Sequence, residues 1–150
     1  MTEQAIEHLA VHAPPQRCYE VALDFERYPQ WAPDIKDATV LARDDQGRAT
    51  KVAFRAAAMG RSASYVLEYR YDHAPRELSW RLLEGDIMRA LDGTYHFETS
   101  PESAEVTNVT YRLSVELVVP IPGFVKRRAE GKIISTALRE LKRRVEAPPA

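Results

Sequence analysis

A single cysteine, Cys18, stands in 150 residues, so no intramolecular disulfide can form and a reducing compartment is permitted. Charge of one sign is also missing. Lys and Arg number 21 against 22 Asp and Glu, a formal net charge of −1. Without a basic field to displace counterions from phosphates, general nucleic-acid binding is not expected. No apolar run approaches the roughly 20 residues that span a bilayer. Met1 to Gln4 has neither the basic stretch nor the apolar run of a secretory leader, and a cytoplasmic location is expected. Residues 1–147 read as one domain with 148–150 as a frayed tail. At this length, burying about 68–70% of the unfolded surface sustains a core without disulfide or metal.

Chemical motifs are equally scarce. There is no Gly-rich phosphate loop and no Gly-x-Ser-x-Gly nucleophile elbow. His8 and His12 are four apart, but the intervening residues are Leu9-Ala10-Val11. The His-Glu-x-x-His zinc form is therefore absent, and the segment reads as a strand, where such a pair is fortuitous. His73 falls in a turn. Cys18 reads as a small buried hydrophobe rather than a nucleophile. No metal and no cofactor is expected, and no catalytic set emerges.

Patterning, by contrast, is clear. Glu3 to Ala13 reads as a strand ended by Pro14-Pro15, which suit the first turn of a helix over Gln16 to Glu26. Tyr28 to Pro33 breaks that helix, leaving room for a short second one. From Ile35 to Leu117 strands follow one another, punctuated by Asp44-Asp45-Gln46-Gly47, Met59-Gly60, His73-Ala74-Pro75-Arg76, Gly85-Asp86 and Ser100-Pro101-Glu102-Ser103. Gly93 marks a bulge or sharp bend. Val109, Tyr111, Leu113, Val115 and Leu117 alternate with polar residues, the period of a half-buried strand. Connections this short leave no room for crossover helices, so the sheet is antiparallel and meandering. After Pro120-Ile121-Pro122-Gly123 a long helix runs from about Phe124 to Val145, with Gly131, Ile134, Leu138, Leu141 and Val145 on one stripe. An apolar sheet face and an apolar helix stripe should pack together as a two-layer α+β fold.

Period-two phasing puts Val52, Phe54, Ala56 and Ala58 on the inner face. Tyr65, Leu67, Tyr69 and Tyr71 share it, as do Leu78, Trp80 and Leu82, then Tyr95 and Phe97, and Val109 to Val115. His96 and Arg55 fall on the other side. Buried Tyr and Trp need hydrogen-bond partners, and apolar walls with sparse polar groups are the make-up of a small-molecule pocket. A filled core uses the same residues. Asp86 and Asp92 flank the turns, as cavity-mouth or solvated residues. The basic runs Lys126-Arg127-Arg128 and Lys142-Arg143-Arg144 fit a solvated helix face, with weak contact to a membrane surface or an RNA-rich partner as the alternative.

Several stretches carry a family resemblance. They are Ala13-Pro14-Pro15-Gln16-Arg17 with Tyr19-Glu20-Val21, the aromatic-Pro segment Phe25-Glu26-Arg27-Tyr28-Pro29-Gln30-Trp31, and Leu78-Ser79-Trp80-Arg81-Leu82. Gly93-Thr94-Tyr95-His96-Phe97 and Val119-Pro120-Ile121-Pro122-Gly123-Phe124 complete the set. Together they resemble the START/Bet v 1-like superfamily, in its polyketide cyclase/dehydrase-type branch. The resemblance implies a helix-grip fold: a curved antiparallel sheet of about seven strands around a long C-terminal helix, with one or two short helices after the first strand. It also implies a cavity between sheet and helix, with Ala56, Ala58 and Gly131 leaving room. The expected ligand contacts are Phe54, Tyr65, Leu67, Tyr69, Trp80, Leu82, Tyr95, Phe97, Tyr111 and Leu113 on the sheet, and Gly131, Ile134 and Leu138 on the helix. The expected partner is a small hydrophobic molecule, lipid-like, quinone or polyketide-like. The alternatives are an aromatase/cyclase or dehydratase, using Tyr65, Tyr69, Tyr95 or an inward-reaching Arg55, and an interaction module acting through the exterior.

Overall fold

The computed structural model of the protein describes residues 5–58, 61–71, 76–118, 120 and 122–147; the side chains of Ala58 and Arg61 lie outside this description. So do the expected Met59-Gly60 turn, His73-Ala74-Pro75, Val119, Ile121 and the 148–150 tail. The chain begins with strand β1 (Ala5–Val11) and helix α1 (Pro15–Leu23), followed by a 3-10 turn (Phe25–Arg27) and a one-turn helix α2 (Tyr28–Trp31). Pro15 occupies the first turn of α1, where its missing N–H costs nothing. The helix expected to continue to Glu26 stops at Leu23. There the Asp24 backbone turns out of the helical region and its N–H closes on the Val21 carbonyl.

Six strands follow: β2 (Ile35–Arg43), β3 (Ala49–Ala58), β4 (Arg61–Arg70), β5 (Glu77–Gly85), β6 (Met88–Ser100) and β7 (Ser103–Leu117). Helix α3 (Gly123–Glu146) ends the fold. The sheet is seven-stranded in the order β1-β7-β6-β5-β4-β3-β2, every neighbouring pair antiparallel. This is the helix-grip arrangement that the resemblance implied. Each hairpin in the β2–β7 run joins adjacent strands, as connections too short for a crossover require.

The phases assigned from period two hold, because the irregularities fall outside the critical stretches. Val66 pairs with Glu84 and Leu67 with Leu82, so Leu83 is the extra residue of a bulge. That bulge lies beyond Leu82 and returns Gly85 opposite Tyr65 on the inner face. Gly93, expected to mark a bulge or bend, sits in unbroken register with β7. Its role is one of space. A Cβ there would lie 2.4 Å from Trp80 Cζ2 and 2.7 Å from Cε2, so the indole of β5 lies across the β6 backbone only because position 93 has no side chain. The β5–β6 ladder ends at this Trp80–Gly93 pair. Just beyond, the Asp92 carboxylate takes the Leu82 N–H at 3.2 Å.

Helix α3 packs on β1, β7 and α1, burying Ile134, Leu138, Leu141 and Val145 as the stripe predicts. Its last turn is clamped to β1: Glu146 accepts the His12 N–H at 2.8 Å, and Lys142 Nζ donates to the Ala10 carbonyl at 3.1 Å. Its first half is fastened through Glu130, a fully buried carboxylate that accepts the Val115 N–H at 2.8 Å and pairs with Lys126 at 3.2 Å.

Candidate functional site

The inner face of β3 to β7 is a connected aromatic surface. The Trp80 ring centroid lies 5.9 Å from that of Tyr69, 5.5 Å from Tyr95 and 5.6 Å from Tyr111. Tyr95 and Tyr111 meet edge-on at 4.5 Å. Phe25, on the turn after α1, closes on Tyr69 at 4.3 Å, while Phe54 stacks on Tyr65 at 5.5 Å and Phe97 on Tyr95 at 5.7 Å. Such pairs add roughly 0.5–1.5 kcal/mol each beyond their area burial, which holds the wall rigid.

The polar tips of these rings are the informative atoms. Tyr28 and Tyr71 donate to the carbonyls of Ala22 and Ala49, each at 2.5 Å. Among the described residues, no protein partner is recorded for the hydroxyls of Tyr65, Tyr69, Tyr95 and Tyr111 or for the Trp80 indole N–H. Yet no sealed side-chain polar atom is left unsatisfied there. These five groups therefore reach a space wide enough for water, consistent with the residual exposure of Tyr69 (6%), Trp80 (8%), Tyr95 (7%) and Tyr111 (7%). On α3, nothing lies within 4 Å of where the Cβ of a residue replacing the half-buried Gly131 would stand.

Of the expected ligand contacts, the structure brings Phe54, Tyr65, Leu67, Tyr69, Trp80, Leu82, Tyr95, Phe97 and Tyr111 onto one face. Leu113 and Ile134 are completely sealed and belong to the packed seam between β7 and α3, with Leu138 nearly so. Arg55 points outward and pairs with Asp37 at 2.6 Å, so it does not reach the tyrosines. Asp86 receives the Ser64 N–H and Asp92 that of Leu82, so both carboxylates cap strand backbone. Cys18 is buried and free, its thiol pushed up by burial. Sequence reasoning missed Glu130. Its signal was a charged residue one turn ahead of Ile134, in line with the apolar stripe and four residues after Lys126. Among the described residues no group of His, Cys, Asp or Glu is arranged to hold a metal.

A depression of about 610 Å³ lies at the β2–β5 part of the sheet, bordered by Asp37, Thr39, Arg55, Ser64, Val66 and Glu84 of the outer face and reaching Phe54, Tyr65 and Gly85. It is open to solvent, with the small Ala53 and Ser64 in its lining, and its Arg55 and Asp37 are paired with each other. The enclosed apolar surface is on the other side of the sheet.

Burial pushes the Tyr65 hydroxyl up to about 12, and those of Tyr69, Tyr95 and Tyr111 well above the ordinary tyrosine range, with neighbouring tyrosines adding to the effect in the last three. They are neutral donors, fitted to hold a carbonyl or hydroxyl rather than to remove a proton. Tyr19, Tyr28 and Tyr71 are raised too, chiefly by burial, so all seven tyrosines are shifted the same way. A raised folded-state value contributes stability that is whole below the unfolded tyrosine value of about 10 and is lost as pH rises through the folded value. In an alkaline titration, phenolate absorbance should therefore appear above that pH in one step coincident with unfolding by circular dichroism. A gradual rise ahead of unfolding would show the rings to be open to bulk water.

Residues 6–146 match a protein family described as polyketide cyclase/dehydrase and lipid transport. No curated protein matches the chain. Among solved structures, a START superfamily protein from Mycobacterium smegmatis is 26% identical, with 95% of this chain and 97% of that one covered and a TM-score of 0.89. A Thermus thermophilus protein is likewise 26% identical over 95% and 97%, with a TM-score of 0.77. The Zhui aromatase/cyclase from a Streptomyces species, 15% identical over 97% and 94% with a TM-score of 0.79, shares the fold.

Proposed function

The chain belongs to the polyketide cyclase/dehydrase and lipid-transport family, and from that premise we propose that it binds a small, largely apolar molecule between the inner sheet face and α3. One observation carries the reading: four tyrosine hydroxyls and an indole N–H, on a wall otherwise apolar, lack protein partners among the described residues and belong to the same sheet face. A ligand with one or two oxygens would satisfy them, while its apolar body gains about 25 cal/mol per Å² removed from water. Binding is favoured over cyclisation or dehydration because those reactions need groups that position carbonyls and move protons, and the candidates are committed elsewhere. Arg55 faces outward, Glu130 is engaged by Val115 and Lys126, and the tyrosines are held protonated. Lipid-like, quinone and polycyclic ligands all fit this chemistry.

The test is native mass spectrometry with extraction of co-purified apolar molecules, joined to titration with a fluorescent apolar probe. Wild type should take up the probe in about a 1:1 ratio. Gly131→Phe fills the open space and should weaken uptake tenfold or more, while the unfolding midpoint stays level or rises, since a mid-helix glycine costs up to about 1 kcal/mol. Undiminished uptake by Gly131→Phe would place the ligand elsewhere.

A further inference from the structure

Burial along the inner face is graded. At one end Val52, Leu78, Phe97 and Val109 are fully enclosed, where α1 packs on β6 and β7 and Phe25 closes on Tyr69. At the other, Ala56, Leu82, Met88, Leu91, Leu117 and Gly131 are only half-buried, so the space opens there. Exposed large apolar side chains stand on the elements around that opening: Phe124 (62%), Val118 (47%), Ile87 (40%) and Val125 (39%). Ile87 adjoins Met88 and Val118 adjoins Leu117. The Val118 N–H donates to the Ile87 carbonyl at 3.0 Å, joining the β5–β6 hairpin to the segment that leads into α3.

Charge is gathered at the same place. Residues 123–133 carry Lys126, Arg127, Arg128 and Lys132 against one acid, Glu130, and that acid is buried and paired with Lys126. Arg127 and Arg128 are exposed, and neither has a carboxylate partner among the described residues. Cations in the opening turns of a helix work against its own field, so local stability does not explain them. The acids at the end of β5, Glu84 and Asp86, border the depression beside Arg55, Asp86 turned to the Ser64 N–H, and Glu116 beside Leu117 is already engaged.

We propose that this rim docks on an anionic lipid bilayer, the apolar side chains entering the headgroup boundary and Arg127 and Arg128 meeting lipid phosphates, so that the opening faces the lipid. Only the role of the opening rests on the ligand-binding reading; the rim stands without it. Four separate apolar side chains fall short of a stable protein interface, whereas apolar insertion combined with cations is what holds a protein at a bilayer surface.

The test is co-sedimentation of the full chain with vesicles of phosphatidylcholine alone or mixed with phosphatidylglycerol. Wild type should pellet with the mixed vesicles, be released by salt, and stay in solution with the neutral ones. Arg127→Glu with Arg128→Glu should weaken partitioning by at least about 25-fold, from about fivefold per cation lost, and Phe124→Ser by about tenfold or more. All these side chains are exposed, so unfolding midpoints should not fall, and the acidic pair near the start of α3 can only raise them. Wild type that ignores anionic vesicles, binds neutral ones equally, or loses nothing in the variants overturns the proposal. So does self-association that Phe124→Ser abolishes in the absence of vesicle binding. Probe uptake from solution, read on the same samples, separates the two ideas. Uptake without vesicle binding ends the docking proposal alone, and vesicle binding without uptake ends the cavity reading alone.

Discussion

Gly93→Ala should lower the stability of the protein by about 3 kcal/mol, at the upper end of what overpacking a core costs. The new methyl would stand 2.4 Å from Trp80 Cζ2 and 2.9 Å from the Arg112 carbonyl oxygen. The second contact is with backbone in the neighbouring strand, so a rotamer change cannot relieve it. The first could be relieved only by moving an indole packed against Tyr69, Tyr95 and Tyr111, and any such movement carries it into the space proposed for the ligand. Probe uptake should therefore fall together with the denaturant midpoint. The diagnosis is checked by a double-mutant cycle with Trp80→Leu. In that background the alanine should cost at least 1 kcal/mol less, the coupling expected of residues in contact. Strict additivity would show that the indole is not what position 93 makes room for.

The second large effect belongs to Glu130. Replacing it with alanine leaves the Val115 N–H without the acceptor it has at 2.8 Å, a loss of about 1–3 kcal/mol for a buried donor. Lys126 is partly exposed and can turn to water, which keeps the cost below that of orphaning a fully buried charge. Glu130→Gln retains an oxygen for Val115 and loses only the ion pair, so it should cost no more than about 1 kcal/mol. Equilibrium denaturation gives the totals, and hydrogen exchange at the Val115 amide gives the location. Exchange should accelerate strongly in the alanine variant and little in the glutamine one. Equal exchange in both would mean that the helix holds that strand by packing alone.

Both residues show where a linear reading stops. The alternation of Val109, Tyr111, Leu113 and Val115 and the stripe through Ile134, Leu138, Leu141 and Val145 belong to single elements, and local periodicity displays them directly. The relation of Gly93 to Trp80 joins two strands, and nothing within β6 alone marks it, so the glycine read as a bend. Glu130 drew no reading at all: its place in line with the apolar stripe is visible, but its partner is a backbone amide, which residue type does not reveal. Period two also tells side and not depth. It put Tyr111 and Leu113 on one face, but only the packing of α3 over β7 separates the hydroxyl that reaches open space from the leucine that is sealed. Likewise the end of α1 at Leu23 has neither glycine nor proline to announce it.

The strand order has a consequence for how the chain reaches this state. β1 and β2 are consecutive in sequence but lie at opposite edges of the sheet, and the first strand closes on the last through contacts such as His8 with Thr110, 102 residues apart. The β2–β7 run can zip up hairpin by hairpin with short loops to close, whereas β1 can be seated only once β7 exists to receive it. During synthesis the first strand leaves the ribosome early and waits, its edge unpaired, until nearly the whole chain has followed. Contacts so remote slow folding because their loop entropy is spent before any pairing repays it. Clasping β1 with the end of α3 is thus the natural last event of folding and the first to be undone, so early opening of the molecule should begin at its two chain ends together.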